Sequence, residues 1–387
     1  MPKPNPRPRR VPPPPGTVID HSPASTGIYI GSPSIAILPD GAYVASHDQF
    51  GPGSTEHTAA VTLVFRSEDR GATWRRVARI RPAFWSNLFV HAGALYLFGV
   101  THHHGLLVIR RSEDGGRTWT EPRDASSGLL TPWGQYHTAP MPMLVHHGRI
   151  WRGVEDATAG TVWGRRYNPL FVSAPSGADL LRRDSWIFSD LVRQSPDWLG
   201  GRFGGWLEGS AVVLPDGRIG DMLRVDYPPG GKAALVTLGA DGRTAEFAPD
   251  TGFIDLPGGP TKFAVRHDPV SGFYWTLANA VPPRHAGRGR NQALIRNTLA
   301  LLRSPDLRRW ELRHVPLHHR DTRRHAFQYV DWLIEGNDLV IASRTAWDDA
   351  HGGAHTAHDA NFLTFHRLTD FRRRTPADSP VNPFAAD

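Results

Sequence analysis

Three residues suited to proton transfer and charge neutralisation lie on neighbouring predicted strands in the first half of the chain. Tyr136 opens one predicted strand, and Arg152 lies on the next, after a turn at His147 and Gly148. A hairpin with this turn places Tyr136 and Arg152 on adjacent strands, able to converge at one face. A guanidinium beside a phenol favours the phenolate, so the pair suits proton transfer near neutral pH. The alternative is a Tyr-Arg packing pair.

The third residue, His91, lies in an apolar predicted strand, and three consecutive histidines, His102, His103 and His104, end the second strand of the same hairpin. In this interpretation several imidazoles share one face, where they titrate near neutral pH. A lone histidine in an apolar run is also often a hydrogen-bonded core residue. His91 is therefore either a catalytic group or part of the core.

Strand ends elsewhere carry further polar candidates. His47 and Asp48 point to opposite faces of a strand, so they form a dyad only if the chain turns there, as the following Gly and Pro allow. Arg224 and Arg344 occupy similar strand ends. Several arginines around one opening would form an anion-binding site.

A late loop, residues 351–359, contains His351, His355, His358 and Asp359, which are metal-ligand types at suitable spacing. It is either a metal site or a structural loop. The sequence has no His-Glu-x-x-His zinc signature, no phosphate-binding Gly loop and no nucleophile-elbow Ser. The paired carboxylates of a usual glycosidase are not evident either.

A repeated phrase identifies the elements that must position these residues. Residues 67–74 and 112–119 both read S-x-D-x-G-x-T-W, the Asp-box, and each follows an apolar strand-like run. The Asp side chain can bond backbone amides across a turn, the Gly supplies a positive φ, and the Trp covers the hairpin. The spacing suits one four-stranded blade of a β-propeller.

Six blade-like units can be counted, and the sequence therefore predicts an all-β, single β-propeller rather than a sandwich or jelly roll. The units are 34–77, 86–122, 141–188, a fourth starting at 210, 262–310 and 327–371. A seventh could come from the termini or from the longer spacing around the third unit. The predicted organisation is a disordered Pro/Arg-rich arm at 1–16, a propeller at 17–373 and a flexible tail at 374–387.

Composition limits the partners. With 44 Lys and Arg against 37 Asp and Glu, the formal charge is +7, which favours an anionic partner. No nucleic-acid signature is present, so an acidic polysaccharide is the expected partner, and we expect a monomer. Cysteine is absent, which excludes disulfides and Cys-ligated zinc. No apolar run is long enough for a membrane span, and no signal peptide is visible, which predicts a cytoplasmic location in this numbering.

The Asp-boxes resemble those of sialidases, but the Phe-Arg-Ile-Pro signature is absent and no convincing arginine triad with Tyr and Glu partners is visible. The fuller resemblance is to the L-rhamnose-α-1,4-D-glucuronate lyases of polysaccharide lyase family 42. The matching segments are 25–34, 46–51, 136–140, 252–259, 327–332 and 357–361.

This resemblance implies a seven-bladed propeller that releases rhamnose by β-elimination from acidic plant polysaccharides such as arabinogalactan. It implies catalytic roles for His91, Tyr136 and Arg152, with His47 as a competing catalytic position on the opposite face. It also implies a structural Ca2+ in the central tunnel, with ligands unknown, and secreted or periplasmic relatives. Further predicted substrate-binding residues are His47, His103, His137, Arg202 and Arg224.

In this reaction His91 removes the C5 proton of glucuronate, Arg152 with Arg202 or Arg224 stabilises the enolate-like charge, and His91 or Tyr136 protonates O4. Two other functions remain open. One is an α-L-rhamnosidase that uses His47, and the other is a carbohydrate-binding propeller without catalysis.

Overall fold

The strands of this computed structural model, which describes residues 11–287 and 289–385, form six antiparallel sheets. The first strand, β1 (Thr17–His21), joins the last sheet. The first three sheets follow in chain order: β2 (Tyr29–Ile37), β3 (Tyr43–Phe50), β4 (Thr62–Ser67) and β5 (Arg75–Ile80); β6 (Phe84–His91), β7 (Ala94–Val100) and β8 (Leu107–Ser112); and β9 (Tyr136–His137), β10 (Leu144–His146), β11 (Arg149–Asp156), β12 (Asn168–Pro175) and β13 (Ile187–Phe188).

The other three sheets repeat this order. They are β14 (Gly205–Val213), β15 (Ile219–Asp226), β16 (Lys232–Leu238), β17 (Ala245–Glu246) and β18 (Phe253–Asp255); β19 (Ala264–Asp268), β20 (Phe273–Ala278), β21 (Thr298–Ser304) and β22 (Glu311–His318); and β23 (Ala326–Glu335), β24 (Asp338–Ala346) and β25 (Phe362–Leu368). Two one-turn helices lie in loops: α1 (Trp198–Gly201) precedes β14, and α2 (Pro249–Gly252) lies between β17 and β18. None of the described helices is long and apolar enough to cross a membrane.

Each sheet is one blade of a six-bladed β-propeller. Large apolar side chains fill every interface between neighbouring blades, because both faces of each blade are covered. At each successive interface, buried residues of both blades belong to one apolar cluster; examples are Val44 and Leu97, Phe98 and Val172, Phe171 and Trp206, Met222 and Val265, Trp275 and Trp332, and Phe65 and Phe365. The last pair closes the ring between the sixth and first blades.

The count of six units from the sequence is confirmed, and the seven-bladed architecture implied by the resemblance is wrong. The N-terminal strand β1 pairs with β25 as the outer strand of the sixth blade, so it cannot begin a seventh. The extra length after the third blade forms loops and α1 rather than a sheet.

The predicted terminal segments are only partly visible. Residues 1–10 of the predicted arm and residues 386–387 of the predicted tail lie outside the described residues. At the N-terminal side, the carbonyl of Pro12 accepts a hydrogen bond from the Trp347 indole at 3.1 Å. In the tail, the Ser379 hydroxyl accepts a hydrogen bond from the backbone N–H of Val315 at 2.9 Å.

The two ends of the propeller are distinguished by the Asp-boxes. Both lie in turns that follow the third strand of a blade, and we call this the Asp-box end. In the first box the Asp69 carboxylate accepts hydrogen bonds from the backbone N–H and hydroxyl of Thr73 at 2.8 and 2.6 Å. Gly71 takes the positive φ of 92°, and the Trp74 indole donates to its carbonyl. The opposite end, where the second strand of each blade ends, is the funnel end.

Candidate functional site

The innermost strands of four blades carry the same irregularity near the funnel end. Two residues of the first strand face one residue of the second, which is a β-bulge. The bulged pairs are Gly31 and Ser32, Trp85 and Ser86, Leu207 and Glu208, and Tyr329 and Val330. Trp85 and Tyr329 hold positive φ angles of 46° and 54°, which bulky residues rarely adopt. Because bulges redirect side chains, they turn several of these residues out of the regular inter-blade packing.

A carboxylate, a guanidinium and a phenol meet near this end. Arg224 donates to both oxygens of Glu208 at 3.1 Å and to the Tyr329 hydroxyl at 3.1 Å. The Tyr329 hydroxyl in turn donates to Glu208 Oε1 at 3.1 Å. Burial alone would raise the pKa of Glu208, but the charge of Arg224 and the hydrogen bond from Tyr329 help to lower it below its ordinary value. Glu208 is therefore an ionised acceptor for the phenol proton.

Two further arginines flank the ring of Tyr329. The guanidinium carbons of Arg296 and Arg344 lie 5.4 and 5.1 Å from its centroid. Both side chains are 4% exposed, and neither forms an ion pair with a carboxylate of the described residues. Burial lowers the pKa of Arg296 to about 10 and also lowers that of Arg344. Buried cations without a counterion are costly, so the pair is suited to an incoming anion.

Arg344 and Tyr329 open into a cavity of about 290 Å³, close to the lower limit of small-ligand pockets. Its walls combine aromatic rings and polar groups. The lining residues are Gly31, Ser32, Asp48, Phe50, Glu56, Phe84, Trp85, His103, Trp163, Tyr329, Arg344 and His358. Trp163 is 44% exposed and stands edge-on to the His137 ring, leaving an apolar surface at the mouth. Such rings can stack on the faces of a sugar.

Asp48 is the carboxyl group of this cavity that holds a proton most strongly. Burial raises its pKa to about 7, although the backbone N–H of Ser32 and the charge of His47 oppose the change. Its Oδ2 accepts a hydrogen bond from Ser32 at 3.3 Å, whereas the buried Oδ1 has no hydrogen-bond partner among the described residues. Asp48 can therefore donate or accept a proton near neutral pH.

Of the predicted substrate-binding residues, Arg224 and His103 do lie at the funnel end. His137 is a buried residue of β9, where its Nδ1 is 2.7 Å from Glu155 and its ring stacks on Tyr167. Burial lowers the pKa of His137 to about 4 and that of His103 to about 3, so both imidazoles are neutral.

The other two predicted substrate-binding residues are placed elsewhere. His47 lies between blades, with one ring nitrogen 2.9 Å from Asp20 and the other 2.9 Å from the Asp48 carbonyl. Its two nitrogens are thus already engaged. Arg202 is exposed and lies 5.5 Å from the Tyr227 ring centroid.

The structure does not bring His91 together with Tyr136. His91 lies at the β6–β7 turn at the Asp-box end, where its Nε2 is 2.7 Å from the Ser176 carbonyl. The Tyr136 backbone bonds Gly105, beyond the other end of β7. The seven residues of β7 span about 20 Å, so His91 cannot share a reaction centre with Tyr136 or His103.

Tyr136 and Arg152 are near each other in the chain fold but do not form the predicted acid-base pair. Tyr136 packs in the core between the second and third blades, and burial, assisted by Asp156, raises its pKa. This is opposite to the expected phenolate. Arg152 is fully buried and donates to Thr138 Oγ1 at 2.9 Å and to the carbonyls of Ala139 and Gly153. The segment it holds carries two prolines, which break the first strand into β9 and β10.

The residues that the sequence interpretation missed are Glu208, Tyr329 and Arg296. Three arginines, Arg224, Arg296 and Arg344, contact the Tyr329 side chain, and this grouping was not recognised in the sequence. The available signal was weak: Glu208 is a lone acidic residue in an otherwise apolar strand, where an uncompensated charge calls for a partner. Nothing in the sequence identifies which partner that is.

Two candidate metal sites were identified from the sequence, a calcium site in the central tunnel, implied by the resemblance, and a histidine site in the late loop. Calcium takes six to eight oxygen ligands. In the interior, Asp221 has two buried oxygens without hydrogen-bond partners, but no group of three potential ligands includes it among the described residues. Side-chain carboxylates alone therefore do not form a calcium site there, and the calcium ion stays a prediction from resemblance. In the late loop, His358 bonds Asp359 and His351 packs near His21, so its histidines do not converge.

No protein-family model and no curated protein sequence matches the chain. Solved structures do match. The Penicillium chrysogenum α-L-arabinanase complexed with arabinobiose has a TM-score of 0.56 at 14% identity, covering 93% of this chain and 98% of the arabinanase. The Hadza microbial sialidase Hz136 has a TM-score of 0.60 at 13% identity, covering 92% and 68%.

A third match, the GH93 α-L-arabinofuranosidase of Fusarium graminearum with arabinobiose, has a TM-score of 0.54 at 11% identity and covers 91% of this chain and 96% of that enzyme. Identities this low establish the fold alone. The chain has the β-propeller fold found in sialidases and in these arabinan-acting enzymes.

Proposed function

We propose that this protein cleaves a glycosidic linkage next to a carboxylate-bearing sugar, with Tyr329 as the reacting group. The observation that carries the proposal is that two buried guanidiniums without ion-pair partners among the described residues, Arg296 and Arg344, lie against a phenol already bonded to Glu208. The matching solved structures include enzymes named for action on arabinan and sialic acid, which supports a glycan substrate.

Hydrolysis with retention of configuration is the reaction that best fits this set of groups. The Tyr329 oxygen attacks the anomeric carbon while Glu208 accepts its proton, and Asp48 protonates the departing oxygen. Water, deprotonated by Asp48, then displaces the tyrosine. A neutral phenol suits this role because a carboxylate nucleophile would repel the anionic substrate. Sialidases are known to use a Tyr nucleophile in place of a carboxylate.

The arginines supply the binding energy for the anion. Arg344 lines the cavity, and its Nε is buried without a hydrogen-bond partner among the described residues. A carboxylate held there would supply the missing counterion. It would also keep the anomeric centre close to the Tyr329 hydroxyl, because both arginines lie against that ring.

A second candidate is the β-elimination expected for L-rhamnose-α-1,4-D-glucuronate linkages. The same arginines favour it, since they would neutralise the uronate carboxylate as the C5 proton leaves. Tyr329 would pass its own proton to Glu208 and remove the C5 proton, with Asp48 protonating O4. The products would be rhamnose and an unsaturated uronate.

The test is incubation with gum arabic and, separately, with aryl glycosides of glucuronic acid and N-acetylneuraminic acid, each with wild type and Tyr329→Phe. Hydrolysis is expected to release sugar without new ultraviolet absorbance, and NMR of the first product should show retention. Rhamnose release together with absorbance from a C4=C5 double bond would instead establish elimination. Equal turnover by Tyr329→Phe would overturn both reactions at this site.

A further inference from the structure

We propose that Glu56, His57 and His103 bind a divalent transition metal ion of the zinc type at the rim of the substrate cavity. Glu56 and His57 belong to the loop between β3 and β4, and His103 belongs to the loop between β7 and β8. One potential ligand atom of each residue lies within 4.8 Å of the others. Glu56 and His103 also line the cavity.

One ligand atom from each residue lies within 4.8 Å of the others, so ring rotation is needed before the three surround an ion. The Nδ1 atoms of His57 and His103 are 3.2 Å apart, whereas Glu56 Oε1 is 3.1 Å from the other ring nitrogen of His57, Nε2, and 4.0 Å from His103 Nδ1. Bonds of about 2.0–2.1 Å to zinc place tetrahedral ligands roughly 3.3 Å apart. Imidazole and carboxylate are ligands that zinc and its neighbours accept, whereas calcium requires more oxygens.

The backbone fixes the two loops that carry these ligands. The backbone N–H of His103 donates to the Glu56 carbonyl at 2.7 Å, which joins the first and second blades at this point. Glu56 Oε2 accepts from the backbone N–H of Gly51 at 3.1 Å, leaving Oε1 directed to the imidazoles. The ligands are thus held close before any ion binds, which lowers the ordering cost of binding.

The ion would act on the substrate through His103. Its Nε2 is buried and has no hydrogen-bond partner among the described residues, in a cavity that also contains Trp85 and Trp163. Coordination at Nδ1 would place the ring proton on Nε2 and make it a better donor to a sugar oxygen. The ion would also neutralise Glu56, whose charge opposes an anionic substrate. This link to the substrate rests on the proposed function, whereas the metal site itself does not.

A second group with metal-ligand types, His319, Asp321 and His325, lies apart from the cavity. This second group must be prevented from binding Co2+ before the first is tested. Co2+ is therefore titrated into the full-length His319→Ala variant, with visible absorption recording tetrahedral coordination. We expect one Co2+ per chain.

In the same background, His57→Ala should weaken Co2+ binding by more than about 100-fold, since even outer-shell changes cost 10–100-fold. His57 is the suitable ligand to remove because its side chain is 68% exposed, so folding should not depend on it. His355→Ala, another exposed histidine, is the matched control and should bind like the parent. Absence of saturable binding in the parent, or unchanged binding in His57→Ala, would overturn the site.

Kinetics then test the role of the ion. Adding Zn2+ to the chelator-treated protein should lower KM for the acidic glycan with little change in kcat, and His57→Ala should abolish that effect. If Co2+ binds but the KM is the same with and without Zn2+, the link between the metal site and the substrate is overturned. Co2+ binding by a protein that cleaves none of the test glycans would preserve the site and reject only the proposed function.

Discussion

The Asp-box turns and the funnel end of this propeller satisfy their polar groups in different ways. In the two complete Asp-boxes the Asp carboxylate bonds groups within four residues of itself, as Asp114 does with Thr118. At the funnel end, Tyr329 reaches Arg224 and Glu208 across 105 and 121 positions of sequence. Short-range bonds complete a turn and leave nothing free. The long-range cluster leaves Arg296 and Arg344 without counterions, and this deficit points to a ligand.

Positive φ angles occur at both ends, and at the Asp-box end they lie in turns, where Arg70, Ala92 and His147 adopt them as well as glycines. Glycine occupies the positive-φ position of both complete Asp-boxes, with φ values of 92° and 93°. In the fifth blade, residues 304–310 form a related turn in which the Trp310 indole donates to the carbonyl of Leu307, and Leu307 has a positive φ of 64°. At the funnel end, Trp85 and Tyr329 hold such angles within bulges. Strain of this kind persists only where the surroundings enforce it, and it is typical of functional sites.

Removing one hydroxyl group should break the comparison most clearly. Tyr329→Phe is expected to lower kcat by about 1,000-fold or more, because the reacting oxygen is lost while the ring stays in place. Tyr136→Phe is the matched control and should keep near-normal kcat, since Tyr136 packs in the core between blades. Turnover of acidic glycosides and circular dichroism check both variants. Loss of activity in Tyr136→Phe alone would return the reaction to the residues predicted from sequence.

Breaking the buried ion pair should cost stability that a surface pair does not. Glu208→Gln leaves the Arg224 charge buried without its partner, so the free energy of unfolding should fall by about 3 kcal/mol. Urea denaturation measures this loss. Glu68→Gln, which removes a partner of Arg66 at the Asp-box end, should cost much less, because the Glu68 side chain is exposed and its charge is screened by solvent. Equal losses would mean that the Glu208 pair contributes no more than a surface one.

The proton on Asp48 predicts the pH dependence of the funnel end. If Asp48 is the proton donor, activity should fall about tenfold per pH unit above its pKa of about 7. The pKa of Asp48 in the folded protein is above the unfolded value of 3.8. The contribution of protonated Asp48 to the free energy of unfolding is therefore complete below pH 3.8 and is lost as pH rises to about 7. A pH–rate profile of the wild-type protein measures this fall in activity above pH 7. A rate that keeps rising above pH 8 would contradict this role for Asp48.

The smallest effect is expected at the Asp-box end. Asp114→Ala should lower the free energy of unfolding by about 1 kcal/mol through lost turn hydrogen bonds, with kcat unchanged. Hydrogen bonds to Thr118 and Ser112 outweigh burial and lower the pKa of Asp114 to about 2. Its stabilisation is therefore present above pH 3.8 and disappears as pH falls to about 2. Thermal unfolding at pH 7 and pH 2.5 should show the difference between variant and wild type shrinking. A drop in kcat would connect the two ends.

The sequence by itself determined the architecture. Asp-box turns, hairpin turns and alternating apolar runs are local patterns. Six repeats of these patterns predicted six blades, because the strands of a blade follow one another in the chain, with β1 as the exception. The turn at His147 and Gly148 is confirmed for the same reason, with positive φ at both positions. A resemblance overrode this count and added a blade that the chain does not contain.

Only the tertiary structure decided the site. Whether a strand residue lies at one end of a blade or the other depends on strand direction, and this separated His91 from His103 although they belong to one hairpin. The bulges that displace Glu208 and Tyr329 from the regular pairing shift the register by one residue, which alternation of apolar residues does not reveal. The convergence of Arg224, Arg296 and Arg344 required three successive blades, the fourth, fifth and sixth, to pack around a common axis, because the three residues are far apart in the chain.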